Sequence, residues 1–246
     1  MSFDVIIPLG PKDEDMISVC VASIKRHIVG VRKIFVVAYK PMDVSGATVI
    51  SESIFPFTRA DVEAVVEPSR AGWYLQQLIK LYGPLVIPGV LDNCLVADAD
   101  GVFFRRVKFI DQGFFLMDVN REVVHRPYFD HMLALHPTFQ SWKPLTSGIV
   151  NVMIYNKAIL LELMKKVEDH HKDIFWKIFL AKLPKGTISA ASEYEIYFHY
   201  IMRNHPNKAK LRPLQYYNFG QRSNMDGAGD WHYVNYHWHV QKKSRR

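Results

Sequence analysis

The first hundred residues alternate between short apolar runs and segments in which apolar residues recur every three or four positions. Continuous apolar runs rich in β-branched residues are typical of buried strands, and the longer spacing is typical of amphipathic helices. The pattern predicts strands over residues 3–9, 33–39, 46–51 and 94–97, and helices after residue 13, over 58–66 and over 70–82. Asp13 and Thr58 are the expected N-caps of two of these helices. Such alternation predicts an open α/β sheet with mainly parallel strands.

The second half of the chain is less regular. Its pattern predicts strands over 114–119 and 148–155 and helices over 158–167, 174–183 and 193–204. His170 and His171 are expected in a loop, and Asp118 is expected to be solvated. No repeat and no Pro- or Ser-rich linker divides the chain. We therefore predict one α/β domain over residues 1–240, with a mixed, mainly parallel central sheet flanked by helices. Its nucleotide-binding half covers 1–104 and its second half 105–240.

Charge adds one feature to this picture. The chain carries a net charge of +7, but the tail at 241–246 holds four basic residues and no acid, which leaves 27 basic against 24 acidic residues in the body. A nucleic-acid-binding protein usually has a basic stripe within its fold. We therefore expect no nucleic-acid partner.

The sequence contains neither a disulfide framework nor a membrane-spanning stretch. Cys20 and Cys94 are the two cysteines, both in apolar surroundings, which is typical of a reducing compartment. The N-terminus has no basic region ahead of its apolar run, and no uncharged stretch reaches the roughly 18–20 residues of a spanning helix. We expect a soluble, cytoplasmic protein. Peripheral membrane contact through the basic tail stays open.

Two aspartates separated by one residue, Asp98 and Asp100, follow the predicted strand over 94–97. Ligands of open α/β sheets bind at the carboxyl ends of strands. Two carboxylates there can hold Mg²⁺ or Mn²⁺, while water and substrate phosphates fill the other positions. The alternative is an acidic turn in which Gly101 supplies an unusual backbone angle.

The predicted helix over 70–82 carries a polar stripe. Arg70, Trp73, Gln77 and Lys80 are spaced so that they lie along one helix face, opposite the apolar face. A guanidinium, an amide and an ammonium are groups that hold a diphosphate or a sugar hydroxyl. The alternative is a solvated face with a partly buried Trp.

In this order, the motifs resemble those of GT-A glycosyltransferases. They are a first strand ending at Pro8, then Gly72-Trp73-Tyr74-Leu75-Gln76-Gln77-Leu78-Ile79-Lys80, Leu95-Val96-Ala97-Asp98-Ala99-Asp100, Ser147-Gly148-Ile149 and Ser192-Glu193-Tyr194-Glu195. The chain resembles in particular the small DxD-containing enzymes of bacteria and large DNA viruses, and is more distantly similar to the glycogenin-like group. The resemblance extends from residue 3 to about residue 238, and its most specific parts are the Trp-Gln-Gln-Lys helix and the DxD strand.

The resemblance implies a single GT-A, Rossmann-like domain and a nucleotide-sugar donor, usually a UDP-sugar. The diphosphate would be bridged by Mn²⁺ or Mg²⁺ on Asp98 and Asp100, with a C-terminal histidine completing the site. His237 is the first choice and His239 the second; the alternative is an aromatic lid that Gly227 and Gly229 allow to hinge. The sugar would pass to a hydroxyl of a glycan or glycoconjugate.

The resemblance also assigns roles to the remaining site residues. Lys80 would contact the phosphate and Gln77 the sugar or the DxD turn, with Arg70 and Trp73 on the same donor-binding stripe. Pro8 and Leu9 would lie near the base and ribose, and Ser147 and Gly148 near the donor sugar.

Two acids begin the predicted helix over 193–204. Ser192 and Glu195 match a capping box, in which Glu195 would reach back to the Ser192 amide. Glu193, which that cap does not use, is the candidate general base, since the helix dipole favours its ionised form. The alternatives are two solvated acids or, in a retaining enzyme, a residue that only orients the sugar.

Other functions remain open. One is a nucleotide-sugar hydrolase or a nucleotidyltransferase, although the loop Gly10-Pro11-Lys12-Asp13 is poor in the glycines that nucleotidyltransferases usually carry. Another is a non-enzymatic carbohydrate- or nucleic-acid-binding module, for which the aromatic C-terminal region and the basic tail would serve.

Overall fold

The computed structural model describes residues 1–120, 124–218 and 231–237. The helices of these residues are α1 (Ile17–His27), α2 (Arg59–Glu63), α3 (Pro68–Val86), α4 (Arg126–Leu135), α5 (Lys157–His171), α6 (Phe175–Ala181) and α7 (Glu193–Asn204), with a 3₁₀ turn at Glu52–Ile54. The strands are β1 (Phe3–Leu9), β2 (Ile28–Val29), β3 (Val31–Ala38), β4 (Thr48–Ser51), β5 (Asn93–Ala97), β6 (Gly101–Phe103), β7 (Val107–Lys108), β8 (Ile110–Asp111), β9 (Phe114–Met117), β10 (Val152–Asn156), β11 (Ala209–Leu211), β12 (Tyr216–Tyr217) and β13 (Tyr233–Asn235).

The central sheet has the strand order β10-β5-β1-β3-β4. β1 runs parallel to β3 and β5, β3 runs parallel to β4, and only the edge strand β10 is antiparallel to its neighbour β5. The prediction of a mixed, mainly parallel α/β sheet flanked by helices is therefore confirmed. Because Ile6 pairs with Val96, the turn after β5 emerges beside the end of β1.

A continuous hydrophobic core joins both halves of the chain into one domain. Strand β1 is buried at all of its positions, and its one charged residue, Asp4, forms an ion pair with Arg32. The same cluster contains Leu95 and Leu78 from the first half and Phe179 and Ile201 from the second.

A second, small sheet lies next to the two-aspartate turn. β6 begins at Gly101, directly after Asp100, and pairs antiparallel with β13, while β12 pairs with the other edge of β13. Gly101 is needed for this approach, since a Cβ there would lie 2.5 Å from the Tyr233 ring. Within the described ranges, no helix is both long and apolar enough to cross a membrane.

Some local predictions are wrong. Helix α1 begins at Ile17 after Met16, without a side-chain cap, so Asp13 is not its N-cap. His170 and His171 form the last turn of α5 rather than a loop. Asp118 is buried and paired with Arg212, not solvated. Two of these errors have a clear cause: α5 extends past its apolar stripe, and the partner of Asp118 is remote in sequence.

Candidate active site

Asp98 lies at the carboxyl end of β5, where the strand pattern predicted it. Its backbone N–H donates to the Asn151 carbonyl at 3.1 Å, and its own carbonyl accepts from Gly101 N–H at 3.3 Å, so the turn is fixed on both sides. Its Oδ1 accepts from the Lys80 ammonium and, at 3.4 Å, from the Tyr194 hydroxyl. The side chain is 24% exposed. Asp98 is thus the site carboxylate that solvent and ligands reach most easily.

Asp100 and His237 form the second part of the site. Asp100 is 6% exposed, and its Oδ2 lies 3.0 Å from His237 Nδ1. Its Oδ1 is buried and has no hydrogen-bond partner among the described residues. Burial lowers the pKa of His237, but the hydrogen bond to Asp100 and the nearby aspartate charges outweigh burial and raise it. A buried carboxylate oxygen without a partner is costly unless a ligand binds it.

A buried ion pair connects helices α3 and α7. Lys80 Nζ lies 2.7 Å from Glu193 Oε1 and 4.4 Å from the centre of the Tyr194 ring. The Glu193 backbone N–H donates to Gln77 Oε1 at 3.2 Å. Gln77, Lys80 and Glu193 are each less than 5% exposed. The alternative of a solvated helix face is therefore wrong for Gln77 and Lys80.

The site electrostatics follow from this burial. Burial lowers the pKa of Lys80, but the charges of Asp98 and Glu193 outweigh it, so the ammonium form is stabilised. Burial raises the pKa of Glu193, and the Lys80 charge opposes that rise. Each partner thus favours the charged form of the other. For Lys80 this outweighs burial, whereas the pKa of Glu193 stays above its ordinary value.

Arg70 and Trp73 share the helix face with Gln77 but bind a different segment. The Arg70 guanidinium stacks over the Trp73 ring at 4.3 Å and donates to the Ile188 carbonyl at 3.1 Å and to Ser189 Oγ at 2.9 Å. In the part of the chain that the structure describes, no hydrogen bond or ion pair connects either side chain to the two aspartates.

Pro8 and Leu9 end β1 as buried residues paired with β3. Their backbone lies beside the two-aspartate turn, as the register of β1 and β5 requires. Both side chains are buried.

Ser147 and Gly148 lie in a loop that is attached to α7. Ser147 exchanges backbone hydrogen bonds of 2.8 and 2.9 Å with Asn120. Gly148 N–H donates to Glu195 Oε2 at 2.7 Å, and a Cβ at Gly148 would lie 2.3 Å from Phe198 Cβ. Only glycine fits there.

The prediction of a capping box is half right. Ser192 is the N-cap of α7 and accepts from Glu195 N–H at 3.4 Å. The Glu195 carboxylate, however, binds Gly148 rather than the Ser192 amide. Glu193 is buried rather than solvated.

Several residues around the turn escaped the sequence reasoning. Asn151 has a left-handed φ of 58°, and its carbonyl accepts the hydrogen bond from Asp98 N–H. Its side chain donates to Asn218 Oδ1 at 3.3 Å. Asn235 donates to the same Asn218 oxygen at 2.6 Å and accepts from the Tyr233 hydroxyl. Asparagine tolerates left-handed backbone, but no spacing pattern links these three asparagines. Tyr194 had one weak signal, its position next to Glu193.

Some predicted features lie outside the described residues. These are His239, the hinge glycines Gly227 and Gly229, and the basic tail at 241–246. Within 1–120, 124–218 and 231–237, no three His, Cys, Asp or Glu side chains converge as a preformed metal-binding group. Mg²⁺ sites that bind nucleotides often use one or two carboxylates together with water and substrate phosphates.

The fold and site define an α/β protein whose polar cluster lies at the carboxyl edge of a parallel sheet, where such folds bind ligands. The chain belongs to DUF6492, a family of unknown function, which it matches over residues 14–226. The matched segment contains Lys80, Asp98, Asp100 and Glu193. No curated protein matches the sequence.

Proposed function

We propose that this protein is a metal-dependent glycosyltransferase of the GT-A type. It would transfer a sugar from a nucleotide-diphosphate sugar, a UDP-sugar in the first instance, to a hydroxyl of a glycan or glycoconjugate. The observation that carries the proposal is the pair Asp98 and Asp100 at the carboxyl end of β5, with Asp100 Oδ1 buried and lacking a hydrogen-bond partner among the described residues.

The residues at this turn fit a hard divalent cation. Asp98 and Asp100 would be the first ligands of Mn²⁺ or Mg²⁺, since these ions accept carboxylate oxygens together with water and phosphate. The two aspartates and His237 do not form a preformed three-ligand group, and His237 Nδ1 lies 3.0 Å from Asp100 Oδ2, so His237 would have to give up that hydrogen bond to become a third ligand. The unpartnered Asp100 oxygen is the atom that gains most from such a cation. When bound, the cation supplies positive charge to the leaving diphosphate.

Lys80 and Glu193 would act on either side of the reacting bond. The Lys80 ammonium, fixed between Asp98 and Glu193, would stabilise negative charge on the departing diphosphate. The Glu193 carboxylate would accept the proton of the acceptor hydroxyl. The Lys80 charge favours the ionised form that a general base requires and opposes the rise in pKa that burial causes.

A direct test incubates the purified protein with a panel of nucleotide sugars, with Mn²⁺ or with a chelator. Metal-dependent release of one nucleoside diphosphate, stimulated by a glycan acceptor, supports the proposal. Release that no acceptor stimulates indicates a nucleotide-sugar hydrolase instead. Absence of both release and nucleotide binding for the whole panel would refute the proposal.

Two variants and a control locate the activity. Asp100→Asn should abolish metal-dependent release, and Glu193→Gln should abolish transfer while UDP still binds. Asp111→Asn is the matched control, because Asp111 makes an exposed ion pair with Lys108 at 2.8 Å. Full activity of Asp100→Asn with an unchanged fold would remove the aspartate turn from the mechanism.

A further inference from the structure

A cluster of half-buried aromatic side chains lies on α3 and at the start of α4. Its members, here called the aromatic platform, are Trp73, His125 and Tyr128, together with Arg70. The Trp73 and Tyr128 ring centres are 6.5 Å apart, and those of His125 and Tyr128 are 4.5 Å apart. Arg70 stacks over Trp73 at 4.3 Å. Two helices, α3 and α4, and the residue before α4 thus contribute to one partly exposed surface.

One short segment fixes the platform and leads directly into α7. Ser189 accepts from Arg70 through its hydroxyl at 2.9 Å, and its carbonyl lies 2.8 Å from His125 Nε2. The next residue, Ala190, donates its N–H to the Tyr74 hydroxyl at 3.0 Å. Glu193 follows Ser189 by four residues. The platform is therefore attached to the same chain segment that positions the candidate base.

The geometry of α3 places the platform close to Glu193. Trp73 precedes Gln77 by four residues, about 6 Å along a helix and on the same face. Gln77 binds the Glu193 backbone N–H. Burial and the negative charge of Glu193 raise the pKa of Tyr128 to about 12, against the opposing charge of Arg70, so Tyr128 lies within electrostatic reach of Glu193.

We infer that the aromatic platform binds a pyranose ring of the acceptor glycan, next to Glu193. This inference rests on the proposed function and moves Arg70 and Trp73 from the donor to the acceptor. Aromatic rings offer an apolar face to the C–H face of a sugar, and their polar edges bind hydroxyls. Arg70 donates two of its hydrogen bonds to the segment that holds the platform, so it orients Trp73 rather than serving mainly as a phosphate ligand.

The test measures binding of methyl and p-nitrophenyl pyranosides by saturation-transfer NMR, with and without UDP and Mn²⁺. For a pyranoside that binds the wild-type protein, Trp73→Leu and Tyr128→Leu should each weaken binding about tenfold, in line with the loss of one stacked ring. UDP affinity should change far less. Tyr128→Phe should restore binding, because the ring and not the hydroxyl carries the contact.

Trp176→Leu is the matched control. Trp176 is also half-buried and also carries a cation over its ring, Lys177 at 5.7 Å, but it lies on α6. The Trp176→Leu variant should therefore bind pyranosides as the wild type does. Thermal unfolding shows whether each variant is folded.

The outcomes separate this inference from the proposed function. If no pyranoside binds the wild type, or if Trp73→Leu and Trp176→Leu act alike, the inference is refuted. If both platform variants weaken UDP binding as much as pyranoside binding, the platform belongs to the donor and the inference is again wrong. Failure of the proposed function would show instead as absent nucleotide binding while pyranosides still bind the platform.

Discussion

Replacing Lys80 by methionine would leave the carboxylates of Asp98 and Glu193 without the ammonium that both of them bind. The side chains of Lys80 and Glu193 are 5% and 4% exposed, and their charged atoms are 2.7 Å apart. At an effective dielectric constant of about 20, two unit charges at this distance attract by about 6 kcal/mol. Desolvation of the ammonium offsets part of this. We expect Lys80→Met to lower the free energy of unfolding by about 3–5 kcal/mol at neutral pH, the usual cost of stranding one buried partner.

The assay is urea unfolding followed by circular dichroism, arranged as a double-mutant cycle with Glu193→Gln. Because the double variant contains neither the ammonium nor the Glu193 charge, it should lose at least 1 kcal/mol less than the two single variants together. Lys165→Met is the matched control. Its ion pair with Asp169 is exposed, with side chains 74% and 61% accessible, so its loss should cost less than about 0.5 kcal/mol.

The pH dependence has a defined sign. Without Lys80, burial and Asp98 hold the pKa of Glu193 above its unfolded value. At Glu193 the folded variant therefore takes up a proton more readily than the unfolded chain does. The difference in the free energy of unfolding between wild type and variant should shrink as the pH falls through that raised pKa. A loss below about 1 kcal/mol for Lys80→Met, or additive effects in the cycle, would contradict this account of the buried pair.

Three further perturbations test the packing around the site. Burial lowers the pKa of His131 to about 4, so below pH 6.5 the unfolded chain binds a proton that the folded state does not. The free energy of unfolding should therefore fall by about 3 kcal/mol between pH 6.5 and 4. In urea titrations His131→Asn should remove this pH dependence. Gly148→Ala forces a methyl group against Phe198 and should lower the free energy of unfolding by about 1–3 kcal/mol, seen as a lower melting temperature; an unchanged value would mean that the loop relaxes freely. Leu145 has a φ of 54° and is 75% exposed, so Leu145→Gly should raise the urea midpoint by relieving about 1 kcal/mol of backbone strain.

The elements that were predicted best from the sequence are those with local sequence signals. Strand β1 and helix α7 have the expected bounds, because one is a mainly apolar run that ends just before Gly10 and the other begins after a capping serine. Thr58 caps α2 as predicted, in a capping box with Asp61. Helix α4 was missed, since its N-cap His125 provides no side-chain cap and its apolar stripe is short.

The site was predictable to the level of helix faces and strand ends. The carboxyl-end rule placed Asp98, and periodicity placed Gln77 and Lys80 on one face of α3. Periodicity cannot show that this face is buried, because Lys80 meets Glu193 across 113 residues of chain. The same long range hid the role of Glu195, whose local capping pattern was a better sequence signal than its contact with Gly148.

Because the candidate site is net negative, we expect a divalent cation to bind before a nucleotide or together with it. The chain has a net charge of +7, yet Asp98, Asp100 and Glu193 contribute three acids at the site against the permanent charge of Lys80. Even with His237 protonated, as its raised pKa favours, this group of five is net negative. A diphosphate would be repelled from such a site unless a divalent ion reversed the sign. UDP should therefore bind much more tightly with Mn²⁺ than with a chelator in calorimetric titrations, and Asp100→Asn should reduce the difference. Equal UDP affinity in both conditions would mean that Lys80 alone suffices and that the aspartates serve the fold.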